Sequence, residues 1–537
     1  MKKHLLSLLL MMMPLAASAR GIEVNGIFYT FNSSKKTAQV ARWDLGLKYA
    51  GDVVIPSTVV RNEVEYTVTS IESKAFYNCS ELTSVKIPNS VTSIGNTIFY
   101  GCTDLASIVV EEGNPTYDSR ENCNAIIETA SNKLIMGCQG TTIPNGITAI
   151  GQESLLGCSG LTSIAIPSSV TTIEDYAFEN CTGLTSFIIP DGVTSIGSGI
   201  LKGCSGLTFV YLGIGLVNIP IDMFEGCNSL KTVELNNNTI VSENYDFNNG
   251  ETNLRGIFAY SPVEEIILGE DVRSIGEYTF AGCGMLSIKM SDNVTSIGSY
   301  AFYQCARLTS VELSNNLTYI GRWAFTMCSH LPSVTIPKSV RCIDQIAFYW
   351  CNELTKVVIN SNEVVARENE QFYTLTSCFG PQVKEFVLGE DVRKIAYIAC
   401  SESEDLTTVT LPSNLTCIKD SAFHKCISIA DIYCYAEQVP ELGKDVFVDS
   451  NYKNATLHVP ANAVEAYKSA DQWKDFGNIV ALTDEDLKPT AISSMEYEQL
   501  TKNKAIFDLQ GHQLPQPKKG LNIIKMSDGT TKKVFVK

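Results

Sequence analysis

Eighteen cysteines give this chain its greatest chemical reach. Thiolates are nucleophiles, metal ligands and disulfide partners, and spacing decides among these roles. Cys79 and Cys102 are 23 residues apart. Cys158, Cys181, Cys204 and Cys227 follow one another at 23. Cys283 to Cys305 is 22, and Cys328 and Cys351 follow at 23 each. No Cys-x-x-Cys pair exists, so zinc-knuckle geometry has no support. Each of these regularly spaced cysteines sits in one recurring phrase, as in Ala75-Phe76-Tyr77-Asn78-Cys79-Ser80-Glu81-Leu82. A fixed interval means one small unit stacked many times. Beside Phe76, Phe178, Phe280, Phe302 and Phe325, these thiols read as buried hydrophobes in a packed ladder. Disulfide staples between neighbouring rungs are the alternative. Cys123, Cys138, Cys342, Cys378, Cys417 and Cys434 stand off the register and are the better candidates for oxidation.

The remaining reactive side chains form no constellation in the sequence. The five histidines (His4, His330, His424, His458 and His512) are scattered, with no metalloprotease spacing. Gly213-Ile214-Gly215 lacks the third glycine of a dinucleotide loop. Glu402, Glu404 and Asp405 read as a charged loop. Nothing in the sequence places a serine, a histidine and an aspartate together. No catalytic, cofactor-binding or metal-binding residue is assigned, and a non-enzyme is expected.

The elements that position these residues follow from one unit, Leu82 to Leu105. Val85 and Ile87 alternate with Lys86, which predicts a short strand with one buried face. Pro88 lacks an N–H and ends it. Val91 and Ile94 predict an extended segment. Phe99, Cys102 and Leu105 are three apart, which predicts a helical or 3₁₀ turn. The strand phrase recurs fourteen times between Leu82 and Ile429, with weaker copies at Val53, Thr141 and Leu457. Parallel strands lie about 4.8 Å apart, so the stack makes a ribbon roughly 65–80 Å long. No unit can bury its own apolar edge, so neighbours must stack. The Ile-Gly pair of most copies becomes Ile71-Glu72, Ile173-Glu174 and Ile418-Lys419 elsewhere. That position therefore needs no glycine-only backbone angle.

Leu82-Thr83-Ser84-Val85-Lys86-Ile87-Pro88, followed by Val91-Thr92-Ser93-Ile94-Gly95 and preceded by Ala75-Phe76 and Cys79, resembles the leucine-rich repeat in its BspA-like, treponemal-type variety. The likeness covers most of residues 50–435. It implies an α/β solenoid, mainly parallel β with short helical turns, with a small C-terminal all-β module after it.

The expected organisation is a signal peptide at 1–19, an N-terminal β cap at 20–70, the repeat solenoid at 71–435, a C-terminal cap at 436–482, a linker at 483–490 and a β-rich module at 491–537. Lys2-Lys3, the apolar run Leu5 to Leu15 and Ala17-Ser18-Ala19 carry the first assignment. In the cap, Ile27–Phe31 and Thr37–Ala41 read as two strands. Three inserts interrupt the period: a hairpin across Ala125 to Gly137, a polar stretch near Asn236 to Tyr260, and Val365 to Pro381 with Glu368, Glu370, Phe372 and Tyr373. Val464 to Phe476 has helical spacing. Three tail strands, 505–511, 520–526 and 532–537, resemble the C-terminal sorting domain of the Bacteroidetes type IX secretion route. That likeness implies contact with the secretion machinery and display outside the outer membrane. No stretch after the signal region is long enough to span a bilayer. A net charge of -17 disfavours nucleic acid and anionic lipid as partners.

Outward strand positions alternate with buried ones. In the outward row, Ala165, Ile188 and Tyr211, flanked by Phe209 and followed by Glu234, make an apolar and aromatic stretch that is the candidate protein-binding face. The expected function is a secreted or surface-displayed repeat protein that binds other proteins. The family likeness implies adhesion to host extracellular or matrix proteins, host cells or microbial surfaces. Two alternatives stand beside it. One is a glycan-processing accessory or enzyme with a site in an inserted loop; the other is a surface structural component.

Overall fold

The computed structural model describes residues 21–42, 48–237, 239–240, 256–259, 261–367, 373–483 and 486, and the backbone of four tail strands between 505 and 536. The expected signal segment lies outside the described residues. So do most of the second insert and Glu368, Glu370 and Phe372 of the third.

The chain winds as a β-solenoid. In the strand Leu82–Ile87, Leu82, Val85 and Ile87 are buried while Lys86 is exposed, as the alternation requires. It pairs parallel with Ser107–Val110, setting Val85 against Ile108 and Lys86 against Val109. The same register joins Ser186–Ile189, Phe209–Leu212, Thr232–Leu235 and Glu265–Leu268. It continues in a last run that ends at Asn478–Ala481. The wide ladder falls into runs of three, six and seven strands. The expected copies at Thr141 and Leu161 form no strand. The hairpin Ala125–Glu128 with Lys133–Gly137 enters here, and its second strand pairs with Ala149–Ile150 on another side of the coil. On that side two-residue strands stack isoleucine on isoleucine, as in Ile275, Ile297, Ile320 and Ile343.

On the third side the expected helical or 3₁₀ turn keeps the three-residue bonds of the second form but runs as separate reverse turns, not as a helix. Ala75, Tyr77 and Cys79 donate their N–H groups back three residues, while Lys74, Phe76 and Asn78 donate to Asn96, Ile98 and Tyr100 of the next coil at 2.7–3.1 Å. A helix would consume all these donors inside one coil and leave none to tie coils together. Lys74 and Asn78, four residues apart and both with positive φ, interrupt any helix within about one turn. The three-residue spacing of Phe99, Cys102 and Leu105 therefore comes from consecutive reverse turns. Short helices do occur in the third insert, Asn362–Val365 and Leu375–Phe379. The Ile-Gly glycine has no left-handed backbone. At Gly95 an added Cβ would lie 2.3 Å from the Ser73 nitrogen, so close approach of coils explains it.

Inside, phenylalanines 224, 258, 280, 302, 325, 348 and 379 stack in sequence with ring centroids 4.8–5.8 Å apart. The cysteine ladder runs beside them. Along the ladder thiols reach a carbonyl of the preceding coil: Cys204 to Phe178 at 3.2 Å, Cys305 to Phe280 at 3.0 Å, Cys328 to Phe302 at 3.3 Å and Cys351 to Phe325 at 3.1 Å. The period thus places a weak S–H donor where each coil offers a carbonyl lone pair. Cys378 stands off this cysteine ladder, as expected. It fills the alanine slot of its coil, where its carbonyl accepts from Phe348 N–H as Ala347 accepts from Phe325.

Strands Ile27–Asn32 and Thr37–Val40 pair antiparallel at the start, and the second passes the ladder on to Val64–Ile71. At the far end the predicted helix is shorter, Val464–Ser469. Ala470 is extended and Gln472 has φ 60, which ends it before Trp473–Asp475. Trp473 is buried and donates its indole N–H to the Pro440 carbonyl at 3.1 Å. Tyr467 donates to Ala436 at 2.8 Å. The tail forms an antiparallel sheet of four strands, with Gln513–Leu514 added to the three expected. Among the described residues no helix is long and apolar enough to cross a membrane.

Candidate protein-interaction face

The parallel register sets Ile188 against Tyr211, Tyr211 against Glu234 and Glu234 against Ile267. One position along, Phe209 lies between Ser186 and Thr232. Ile188 is 54% exposed and Ile267 40%, while Phe209, Tyr211 and Glu234 are half-buried. Ala165 is exposed too, though it lies in the stretch without strands. Ile188, Phe209, Tyr211 and Glu234 are thus brought onto adjoining strands, and Ile267 extends the patch. The alternation pointed outward at Ile267 as well, but its place at the end of the patch needed the register across the second insert.

Carboxylates ring this patch. Tyr211 O–H donates to Asp191 Oδ1 at 3.2 Å, and Asp191 also accepts from the Ile214 N–H at 3.2 Å. Partial burial, then the charges of Asp191, Glu234 and Asp271, raise the Tyr211 phenol above its ordinary value. Glu234 accepts from Asn236 and Glu265 from the Thr232 hydroxyl. Asp191, Glu234, Glu265 and Asp271 form no ion pair among the described residues. Elsewhere on the ribbon lysines neutralise their neighbours: Lys86 with Glu111, Lys289 with Glu312 and Lys356 with Glu385, all within 2.8 Å. The patch is therefore an apolar and aromatic centre with an uncompensated negative rim.

Farther along, Val387 and Thr410 face outward by register yet are 7% and 8% exposed. They are short side chains between the Lys356–Glu385 pair and Tyr433, whose ring stacks on His458 at 4.3 Å. Tyr435 O–H also holds the carbonyl of Asp486. The Asp486 carboxylate caps Thr483, which keeps it below the usual carboxylate range. The ribbon is thus shielded from Val387 to Tyr433 and open at Ile188 and Ile267.

Side chains that looked scattered also meet. Ser401 Oγ lies 3.3 Å from His424 Nδ1, and His424 Nε2 lies 3.6 Å from Asp449. The 23-residue period was the signal for the first pair. The Asp449 carboxylate is mostly exposed and beyond hydrogen-bond length, so the trio is not a relay that could activate a nucleophile. His458 Nε2 sits 2.9 Å from Asp431 on the ribbon. Glu402 pairs with Lys425 at 3.2 Å. Among the described residues no group of three or more His, Cys, Asp or Glu could hold a metal ion.

The family model for the BspA type leucine rich repeat region, in six copies, matches residues 58–133, 131–255, 254–378 and 376–470. No curated protein matches the chain significantly. Among solved structures, a leucine-rich repeat protein from Bacteroides ovatus is similar at 23% identity, with 86% of this chain and 100% of that one covered and a TM-score of 0.40. A leucine rich cell surface protein from Faecalibacterium prausnitzii is similar at 23% identity, over 77% and 94% of the two chains, with a TM-score of 0.28. The leucine rich repeat protein of T. pallidum is similar at 23% identity, over 45% and 90%, with a TM-score of 0.25.

Proposed function

The chain belongs to the BspA-type leucine-rich repeat family, and from that premise we propose that it is a secreted or surface-displayed adhesin that docks partner proteins on the middle of its ribbon. It is a protein-interaction repeat protein. The observation that carries the docking site is the open row from Ile188 to Ile267, with its aromatic centre and unpaired carboxylates. Large aromatic side chains in a partly desolvated setting supply most binding energy at such contacts. The rim adds charge complementarity to a basic segment of a host matrix protein or of another microbe's surface. Residues 71–435 are the array, 20–70 and 436–482 its covers, and 491–537 the segment that engages the secretion machinery.

The test is binding of the full chain to immobilised fibronectin, laminin and collagen and to whole microbial cells. Saturable binding that weakens at least tenfold in Tyr211→Ala, and falls with rising salt, is expected. No saturable binding to any of them would remove the adhesin reading.

A further inference from the structure

On the turn side, a cleft lies apart from the ribbon. Tyr303, Thr326 and Tyr349 follow the stacked phenylalanines 302, 325 and 348 in one row. Phe379 continues the stack from the third insert, but Gly380 and Pro381 follow it, so the row loses a side chain. The next two coils place Ser401 and His424 in that row. A cleft of about 550 Å³ opens here, lined among others by Tyr349, Thr376, Ser377, Ser401, Glu402 and His424. That volume lies within the ~300–1,000 Å³ range of small-ligand sites.

The polar groups are held in place by one another. Thr376 Oγ1 lies 2.5 Å from Ser403 Oγ, Ser401 Oγ contacts His424, and Ser377 Oγ donates to the Thr374 carbonyl at 2.6 Å. Each hydroxyl still has capacity for a further hydrogen bond, since it carries one proton and two lone pairs. Tyr349 supplies an aromatic wall, and its neighbour Trp350, 5.3 Å away, is 54% exposed. Glu402 is neutralised by Lys425, so the lining carries no uncompensated charge to recognise an ion. Hydroxyls, an imidazole and an aromatic face without net charge match one ligand chemistry, a ring with an apolar C–H face and hydroxyls around its edge.

We propose that this cleft binds a neutral oligosaccharide. Its described lining holds a single carboxylate, Glu402, whereas glycosidic cleavage commonly uses two; the cleft therefore binds sugar rather than cutting it. The inference is independent of the ribbon face and can fail without affecting it.

The experiment is saturation-transfer NMR and calorimetry on the full chain with cellotriose, maltotriose and triacetylchitotriose. At least one triose should bind saturably, and Tyr349→Ala should weaken it tenfold or more. Thr376→Val, which removes a hydroxyl that also holds the buried Ser403, should weaken it several-fold when binding is measured well below the variant's lowered unfolding midpoint, so a folding defect is separable. Failure of all three sugars to bind would overturn the proposal. So would binding indifferent to both substitutions, or competition by sulfate or an oligolysine peptide.

Discussion

Replacing Phe325 by alanine removes a fully buried ring from the centre of the phenylalanine stack. Its ring lies 4.8 Å from both Phe302 and Phe348, stacked nearly parallel to each. A buried Phe→Ala change costs about 3–5 kcal/mol in transfer and cavity terms. Each lost ring pair adds about 0.5–1.5 kcal/mol of specific contact, which places this site at the upper end of that range. Among the described residues Phe224 has one ring partner, Phe258 at 5.2 Å, so the same change there should cost about 1 kcal/mol less. Stacked repeats interact through nearest neighbours and open locally, so a local probe suits them better than one global unfolding curve. Amide exchange supplies it. Phe302 N–H donates to Ala324 O and Phe325 N–H to Ala347 O, both at 2.7 Å. In Phe325→Ala these amides should exchange roughly a thousandfold faster, with the effect fading over a few coils. A loss below about 1 kcal/mol, or one spread evenly over the chain, would refute the reasoning.

Burial pushes the thiols of Cys102, Cys204, Cys227, Cys283, Cys378 and Cys426 up to about 12 from 9.0. An acid whose folded value is raised gives full stability below its unfolded value and loses it as pH rises toward the folded one. Each thiol should therefore cost about 1 kcal/mol by pH 10, seen as a steep fall of the urea midpoint above pH 9. A flat profile from pH 8.5 to 10.5 would contradict the buried ladder. Iodoacetamide labelling of the native chain, read by mass spectrometry, should modify the partly exposed Cys342 and Cys417 before the buried ladder thiols Cys181, Cys204, Cys305 and Cys328. Deleting residues 491–537 should leave the protein in the periplasm on cell fractionation, and unchanged surface exposure would reject the sorting role. Tyr435→Phe should speed proteolysis around residues 483–486, because it removes the hydroxyl that holds the Asp486 carbonyl.

The coil was legible because its period and its alternation describe the same object. Val85, Ile87 and Val91 are buried in the places their spacing requires. The turn side was less legible, since three-residue spacing fits a helix and a chain of reverse turns equally well. Asn78 and Gly101 before their cysteines carried the distinction, but Met327 and Trp350 occupy the same left-handed position and hide it. The thiol's partner carbonyl was invisible, because backbone acceptors leave no trace in side-chain types. The ribbon patch was half readable. Alternation placed Ile188 and Tyr211 outward, whereas the shielding of Val387 and Thr410 depends on the height of Tyr433 and the Lys356–Glu385 pair. The turn-side cleft comes from Gly380 meeting a register set by distant coils, which no local pattern encodes.

The docking claim is tested most directly by a hydrogen-exchange footprint on the full chain bound to whichever matrix or microbial protein it captures. Slowed exchange should fall on Ser186–Ile189, Phe209–Leu212, Thr232–Leu235 and Glu265–Leu268, and should vanish with Tyr211→Ala. Protection confined to other coils, with those four strands unchanged, would contradict it.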